Sequence, residues 1–380
     1  MKPLISNSFA LDSPHDRWLC QILRGEVSSW PARAGAEFER RFLEACLSHG
    51  VAPLVYHQAR MTTAWQGWPA AVRESLSREA RMQAALDMVR ERELMTVLGA
   101  LAAAGVGALL LKGTPLAYSH YAEPALRPRC DMDLLVAPAN REAAVRVLRA
   151  LGYWRPNAVS GKIIGYESCY CKKEGKVEHV VDLHWRINNS QVFARAFGYD
   201  ELHARSMPIP RLGESARGLS PPHALLLACM HRVAHLDGRD GSGERLIWLY
   251  DIHLLANAMK VGEWREFARL AGVKDMRRIC LDGFACTCLA LGTVFPDPVL
   301  DRLAASATDE LSGAYLRTGR WGRLVVDLRA LASWRDRATL LWELCFPPAD
   351  FLLAKYQVRS RWLLPWLYAR RAMAGIWKLK

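Results

Sequence analysis

The chain has little of what would organise a secreted, membrane-spanning or repeat protein. Its ten cysteines include no Cys-x-x-Cys pair, and the nearest couples, Cys169/Cys171 and Cys286/Cys288, leave one residue between them, tighter than ordinary zinc spacing. The pattern does not read as a disulfide framework. The thiols read as small buried hydrophobes and occasional free groups, which suits a reducing cytoplasm. No segment reaches the run of about 20 apolar residues that crosses a bilayer. The opening "MKPLISNSFALDSPHDRW" has no charged start followed by an unbroken apolar stretch and a small-residue cleavage site, so no secretory signal is expected. Fourteen tryptophans are scattered with no fixed period, which excludes a repeat array. Acid is the charge in short supply: 38 Asp and Glu against 51 Lys and Arg leave a formal net charge of +13. That balance favours polyanions, phosphate-bearing ligands or an anionic membrane surface over basic partners, without choosing among them, and equally suits a soluble protein that is simply basic.

What is present is ample core material. The 380 residues are 51% hydrophobic, enough for two or three packed units. Residues 16 to 104 carry apolar residues at helical spacing, including a stripe at Val72, Leu76, Leu86, Val89, Leu94, Val97, Leu98 and Leu101, and Gly105 then caps the helix. The period changes at "VGALLL", 106 to 111, a short buried-strand pattern closed by Lys112-Gly113. "DMDLLV", 131 to 136, predicts a second strand, and Pro138 with Asn140 opens a helix that closes at Gly152. "KVEHVVDLHWRI", 176 to 187, predicts a third strand with Asp182 and His184 on one face and Val181, Leu183 and Trp185 on the other. A connector rich in proline and glycine, 207 to 222, precedes a return to helical period. The expected organisation is a helical region over 1–104, an α/β core over 105–215 and a helical region over 216–380.

Asp131 and Asp133 project to one side of their strand. Two carboxylates that close raise one another's pKa unless a cation lies between them, and a hard divalent ion with oxygen ligands, Mg²⁺ (or Mn²⁺), resolves the conflict. Asp182 supplies a third oxygen ligand if its strand is a neighbour. Aspartate at a strand's start also suits turns and caps. The preceding strand, however, ends in Lys112-Gly113-Thr114 and turns into a helix with Pro115 near its first position, where glycine lets backbone approach a phosphate and lysine adds positive charge.

In that order, Lys112-Gly113, then Arg129-x-Asp131-x-Asp133-Leu134-Leu135-Val136, then "VVDLHWRI" with Asp182 and His184, then "MHRVAH…RLIWLYDIHLLA", the sequence resembles the uncharacterised bacterial nucleotidyltransferase-like proteins of the DNA polymerase beta nucleotidyltransferase superfamily. The similarity covers roughly residues 90 to 260. It implies an α+β fold, a small mixed sheet flanked by N-terminal and C-terminal helices. It implies metal binding by Asp131, Asp133 and Asp182, which are also the catalytic residues, and nucleotide binding by Lys112, Gly113, Thr114 and Arg129. The reaction implied is transfer of a nucleoside monophosphate from an NTP to a hydroxyl-bearing acceptor (small molecule, peptide or protein), with Asp182 orienting or deprotonating that hydroxyl. The sequence departs from the superfamily pattern by Thr114 after the glycine and by a long segment before the acid pair.

His231 and His235, four apart on a predicted helix, could hold zinc, but no third ligand is evident. With Arg245, Asp251 and His184 they are expected to line an acceptor pocket. The tail, residues 351 to 380, carries seven Lys or Arg and no acid, interleaved with Trp362, Trp366, Tyr368 and Trp377. Its tryptophans are expected to pack on the body of the protein; the competing expectation is peripheral contact with an anionic inner-membrane surface. Nucleic acid is disfavoured, since no known binding module is present. The expected protein is therefore a cytoplasmic enzyme. The alternative is a non-catalytic accessory protein that binds a nucleotide or a partner, at the inner membrane face beside a cell-surface or peptide-modification pathway.

Overall fold

The computed structural model describes residues 13–377 except 27–28, 33, 157–158, 160, 237–242 and 306–309; for residues 320 and 372–377 the backbone alone is described. The ends of the chain, including the last three residues of the basic tail, lie outside the described residues.

Four helices come first: α1 (Pro14–Leu23), α2 (Ala36–Ser48), α3 (Ala52–Ala59) and α4 (Ala70–Ala103). The apolar stripe of α4 divides between two cores. Val72 and Leu76 join the aromatic cluster of Trp18, Phe42 and Trp68, while Leu94, Val97, Leu98 and Leu101 pack on the sheet. Between them Val89 is exposed, because the helix there passes from one core to the other. Gly105 follows with φ +71°, a conformation glycine takes at no steric cost.

The sheet is built from β1 (Ala108–Leu110), β2 (Met132–Val136), β3 (Glu167–Glu174), β4 (Val177–His184), β5 (Met207–Pro208) and β6 (Arg217–Gly218), in the order β3-β4-β2-β1-β6-β5. β2 and β4 are parallel, β1 and β6 are parallel, and the remaining pairs are antiparallel. This mixed sheet with flanking helices is an α+β fold. Helices α5 (Gly113–Ser119), α6 (Arg141–Ala150), α7 (Gln191–Ala194) and α8 (Tyr199–Ala204) fill the connections. β3 carries two lysines and two glutamates, so its period-2 signal is weak. β5 and β6, two residues each, leave no signal, and they lie inside the proline-rich connector.

Beyond the sheet, α9 (Pro221–His235), α10 (Leu246–Ala258), α11 (Val261–Val273), α12 (Arg277–Leu291) and α13 (Asp297–Ala304) share one core with α1–α3. The last helices are α14 (Leu311–Ala314), α15 (Arg320–Ala330), α16 (Trp334–Cys345), α17 (Ala349–Lys355) and α18 (Leu364–Trp377). In the tail Leu367 is buried but Trp362 and Trp366 are exposed, contrary to the expectation that these tryptophans pack on the body. No described helix is long and apolar enough to cross a membrane.

Candidate active site

The parallel pairing of β2 and β4 sets Asp133 directly beside Asp182. Asp131, two residues earlier, projects to the same side, and carboxylate oxygens of Asp131, Asp133 and Asp182 all lie within 4.8 Å of one another. Neither strand contains the site; the register between them makes it.

On the next strand, Leu111 donates its backbone N–H to Asp133 O at 3.0 Å, and Lys112 follows at once. Lys112 adopts φ +57° and ψ −131°, unusual for a residue with a Cβ. Its Nζ lies 2.5 Å from Asp133 Oδ1. On the other flank His184 Nε2 is 2.8 Å from the same oxygen, and His184 Nδ1 is 3.1 Å from Glu167 Oε2.

The three carboxyls consequently differ. Burial alone would raise Asp133, but Lys112 and His184 overcome it and hold the group well below the usual carboxylate range. Asp131 is raised, by burial first and then by Asp133. Asp182 is pushed up to about 6 by burial and by the charges of Asp133, Asp131 and Glu167. Lys112 is held firmly protonated: burial opposes its charge, but Asp133 and Glu167 outweigh it. An excess of negative charge on hard oxygen donors is what a divalent cation relieves, so the donor set fits Mg²⁺ or Mn²⁺.

Of the two arginines, Arg127 lies against Gly113 and Asp251, and Arg129 lines a recess with Thr114 and Asp131. Arg127 Nε and Nη2 donate to the two Asp251 oxygens at 2.9 and 2.8 Å, and Tyr121 Oη donates to Asp251 Oδ1 at 2.7 Å. A Cβ on Gly113 would lie 2.7 Å from Arg127 Nη2, so the absence of a side chain at 113 makes room for this guanidinium. Arg129 instead pairs with Asp87 of α4, donates to Tyr118 Oη at 3.0 Å and lies over the Tyr118 ring. Thr114 is buried beside it in a small recess shared with Asp131 and His179. The sequence offered both arginines, in "RPRC", within an irregular segment where side-chain direction is not periodic.

A cleft of about 290 Å³ opens from Lys112 and runs between α5, β6 and helices α9 and α10. His231, Trp248 and Asp251 line it, with Leu116, Ile209 and Leu227 supplying apolar wall. His231 is held well below the usual imidazole range by burial, with His235 and Lys112 adding to the effect. The His231 and His235 rings stand 4.5 Å apart, but His235 is not part of the lining. Arg245 is also outside it, donating from Nε to Ser48 O at 3.0 Å, and His184 stays with the acids. Of the expected acceptor residues, the cleft therefore takes His231 and Asp251.

A family model described as "Uncharacterised nucleotidyltransferase" matches residues 37–292, which spans the acids, the Lys112-Gly113 turn and the cleft helices. The chain belongs to that nucleotidyltransferase family. Comparison with curated proteins gives no match. Sequence reasoning missed Arg127, Tyr121 and Glu167. Glu167 was hidden with β3, and Tyr121 and Arg127 come near Asp251 only through packing against α10. A second cluster, Glu93, Glu174 and His179, has a cation of its own, since Lys172 Nζ lies 2.9 Å from Glu93 Oε1.

Proposed function

We infer that this chain is an Mg²⁺- or Mn²⁺-dependent nucleotidyltransferase of the DNA polymerase beta superfamily. In this reading an acceptor hydroxyl attacks the α-phosphate of an NTP in a cytoplasmic setting, the nucleoside monophosphate passes to the acceptor oxygen, and pyrophosphate leaves. The observation that carries the reading is the convergence of Asp131, Asp133 and Asp182 from two neighbouring strands. Bound there, a divalent cation would neutralise phosphate charge and align attacking and leaving oxygens. The protein's own groups do the rest. Lys112, at the mouth of the cleft, turns from Asp133 to an incoming phosphate oxygen, while Arg127 keeps the Gly113 turn positive. Asp182, whose carboxyl is pushed up to about 6, holds the acceptor hydroxyl and takes its proton. The acceptor's body occupies the cleft beside His231 and Trp248.

The test is incubation of the purified chain with each labelled NTP, Mg²⁺ or Mn²⁺ and small-molecule, peptide and protein acceptors, with mass spectrometry for an added nucleotide. Asp131→Asn/Asp133→Asn is the control and is expected to lose turnover by about a thousandfold or more, as removal of metal-held charge stabilisation predicts. One feature favours a second reading: the contacts of Lys112 and His184 on Asp133 already compensate that carboxylate. A non-catalytic nucleotide- or partner-binding accessory protein would show equal nucleotide binding and no turnover in both chains.

A further inference from the structure

Helix α16 is apolar on two sides. Inward, Leu340 and Leu344 pack with Ile163, Ile164 and Leu331. Outward, Trp334 is 73% exposed, Leu341 43% and Trp342 63%. At 3.6 residues per turn these three share one broad arc of the helix with Ala338 and Cys345, so internal packing leaves this arc unused.

The arc adjoins the tail. The Trp342 ring lies 4.2 Å from Phe346, and Phe346 lies 5.6 Å from Tyr368 of α18. Arg371 Nη2 donates to Leu344 O at 3.4 Å, which ties α18 to α16. Just before and within α18, Trp362 is 93% exposed and Trp366 54%. A single exposed apolar residue is ordinary, but four exposed tryptophans on two adjoining elements are not.

The charge around these rings is mostly positive. Residues 334–371 contain seven Lys or Arg and three Asp or Glu. Of the acids, Glu343 is spent on the backbone N–H groups of Lys162, Ile163 and Ile164, and Asp350 pairs with Arg361. Arg370 lies over the Trp366 ring at 5.3 Å, the interleaving of cation and indole that suits a headgroup layer, where indole rings settle and basic side chains meet lipid phosphate. Exposed indole rings beside basic side chains are fitted to lie on a bilayer surface.

We propose that α16 and the segment 359–371 together form a docking surface for an anionic phospholipid membrane. The proposal stands whether or not the nucleotidyltransferase reading holds. The experiment is flotation of the full chain with vesicles of phosphatidylcholine alone and of phosphatidylcholine with phosphatidylglycerol, beside Trp342→Ser/Trp362→Ser/Trp366→Ser and Arg359→Ser/Arg370→Ser variants. The chain is expected to float with phosphatidylglycerol only. Both variants are expected to lose about tenfold or more in vesicle affinity, and raising salt to about 1 M should release the wild type. No flotation on phosphatidylglycerol vesicles, or unchanged affinity in the tryptophan variant, overturns the proposal. So does a dimer in light scattering that the tryptophan variant abolishes in a chain that binds no lipid, which would assign the face to a second copy. Should the tryptophan variant fail to fold, emission of the wild type decides: quenching by brominated phosphatidylglycerol upholds the docking surface, and no quenching overturns it.

Discussion

Asp182 is held beside two other carboxyls in a mostly buried place, so its proton is retained to about pH 6. The unfolded chain releases that proton near the ordinary aspartate value, so the folded state binds it more tightly. On this group's account stability falls as pH rises from about 4 to about 6 and stays lower above that. Asp182→Asn removes the repulsion. It is expected to raise the stability of the metal-free protein by about 2 kcal/mol at about pH 7.5 and to change it little at about pH 4, while abolishing the stabilisation that Mg²⁺ gives the wild type. Urea melts at both pH values, with and without Mg²⁺, check it; a variant no more stable than wild type at the higher pH would show that the three acids do not repel.

The turn from β1 into α5 is where an element was bent to serve a site. Lys112 has φ +57°, a conformation that costs a residue with a Cβ on the order of 1–3 kcal/mol and glycine little. Lys112→Ala and Lys112→Gly both lose the Asp133 contact, so the difference between them isolates the backbone. Lys112→Gly is expected to be the more stable by about 1 kcal/mol, the reverse of the usual order in regular structure, as read by thermal unfolding. Equal melting of the two variants would mean the turn relaxes at no cost. A lysine kept in this conformation is explained by what its ammonium does beside Asp133 rather than by the fold.

Across the whole molecule, Arg127 and Asp251 join the segment before β2 to α10, and so couple the sheet to the helices that wall the cleft. Both side chains are nearly buried, at 10% and 7% exposure. Asp251→Ala leaves a buried guanidinium and the Tyr121 hydroxyl without their acceptor, and is expected to cost about 3–5 kcal/mol in urea unfolding. Replacing the pair with apolar residues of similar volume should cost far less, because desolvation of two charges is then avoided together. The core that α1–α3 share with α9–α13 has the same consequence at larger scale, since helices far apart in the chain bury one another's apolar faces.

By itself the sequence determined the local pieces: α4 with its glycine stop, the strands at 108–110, 132–136 and 177–184, the acids that share a strand face, and the surplus of positive charge. These are legible because period, capping and formal charge are properties of neighbouring residues. What only tertiary structure decided is which residues from separate elements meet. Two arginines two residues apart look alike in "RPRC", yet one faces Asp251 and Gly113 and the other faces Asp87. His231 and Asp251 reach the cleft while His235 and Arg245 do not, and Trp362 and Trp366 remain outside a core their composition suited. The parallel register that sets Asp133 against Asp182 is of the same kind, because a hydrogen-bonded ladder between strands about fifty residues apart is fixed by the packing of the whole sheet and by nothing in either strand alone.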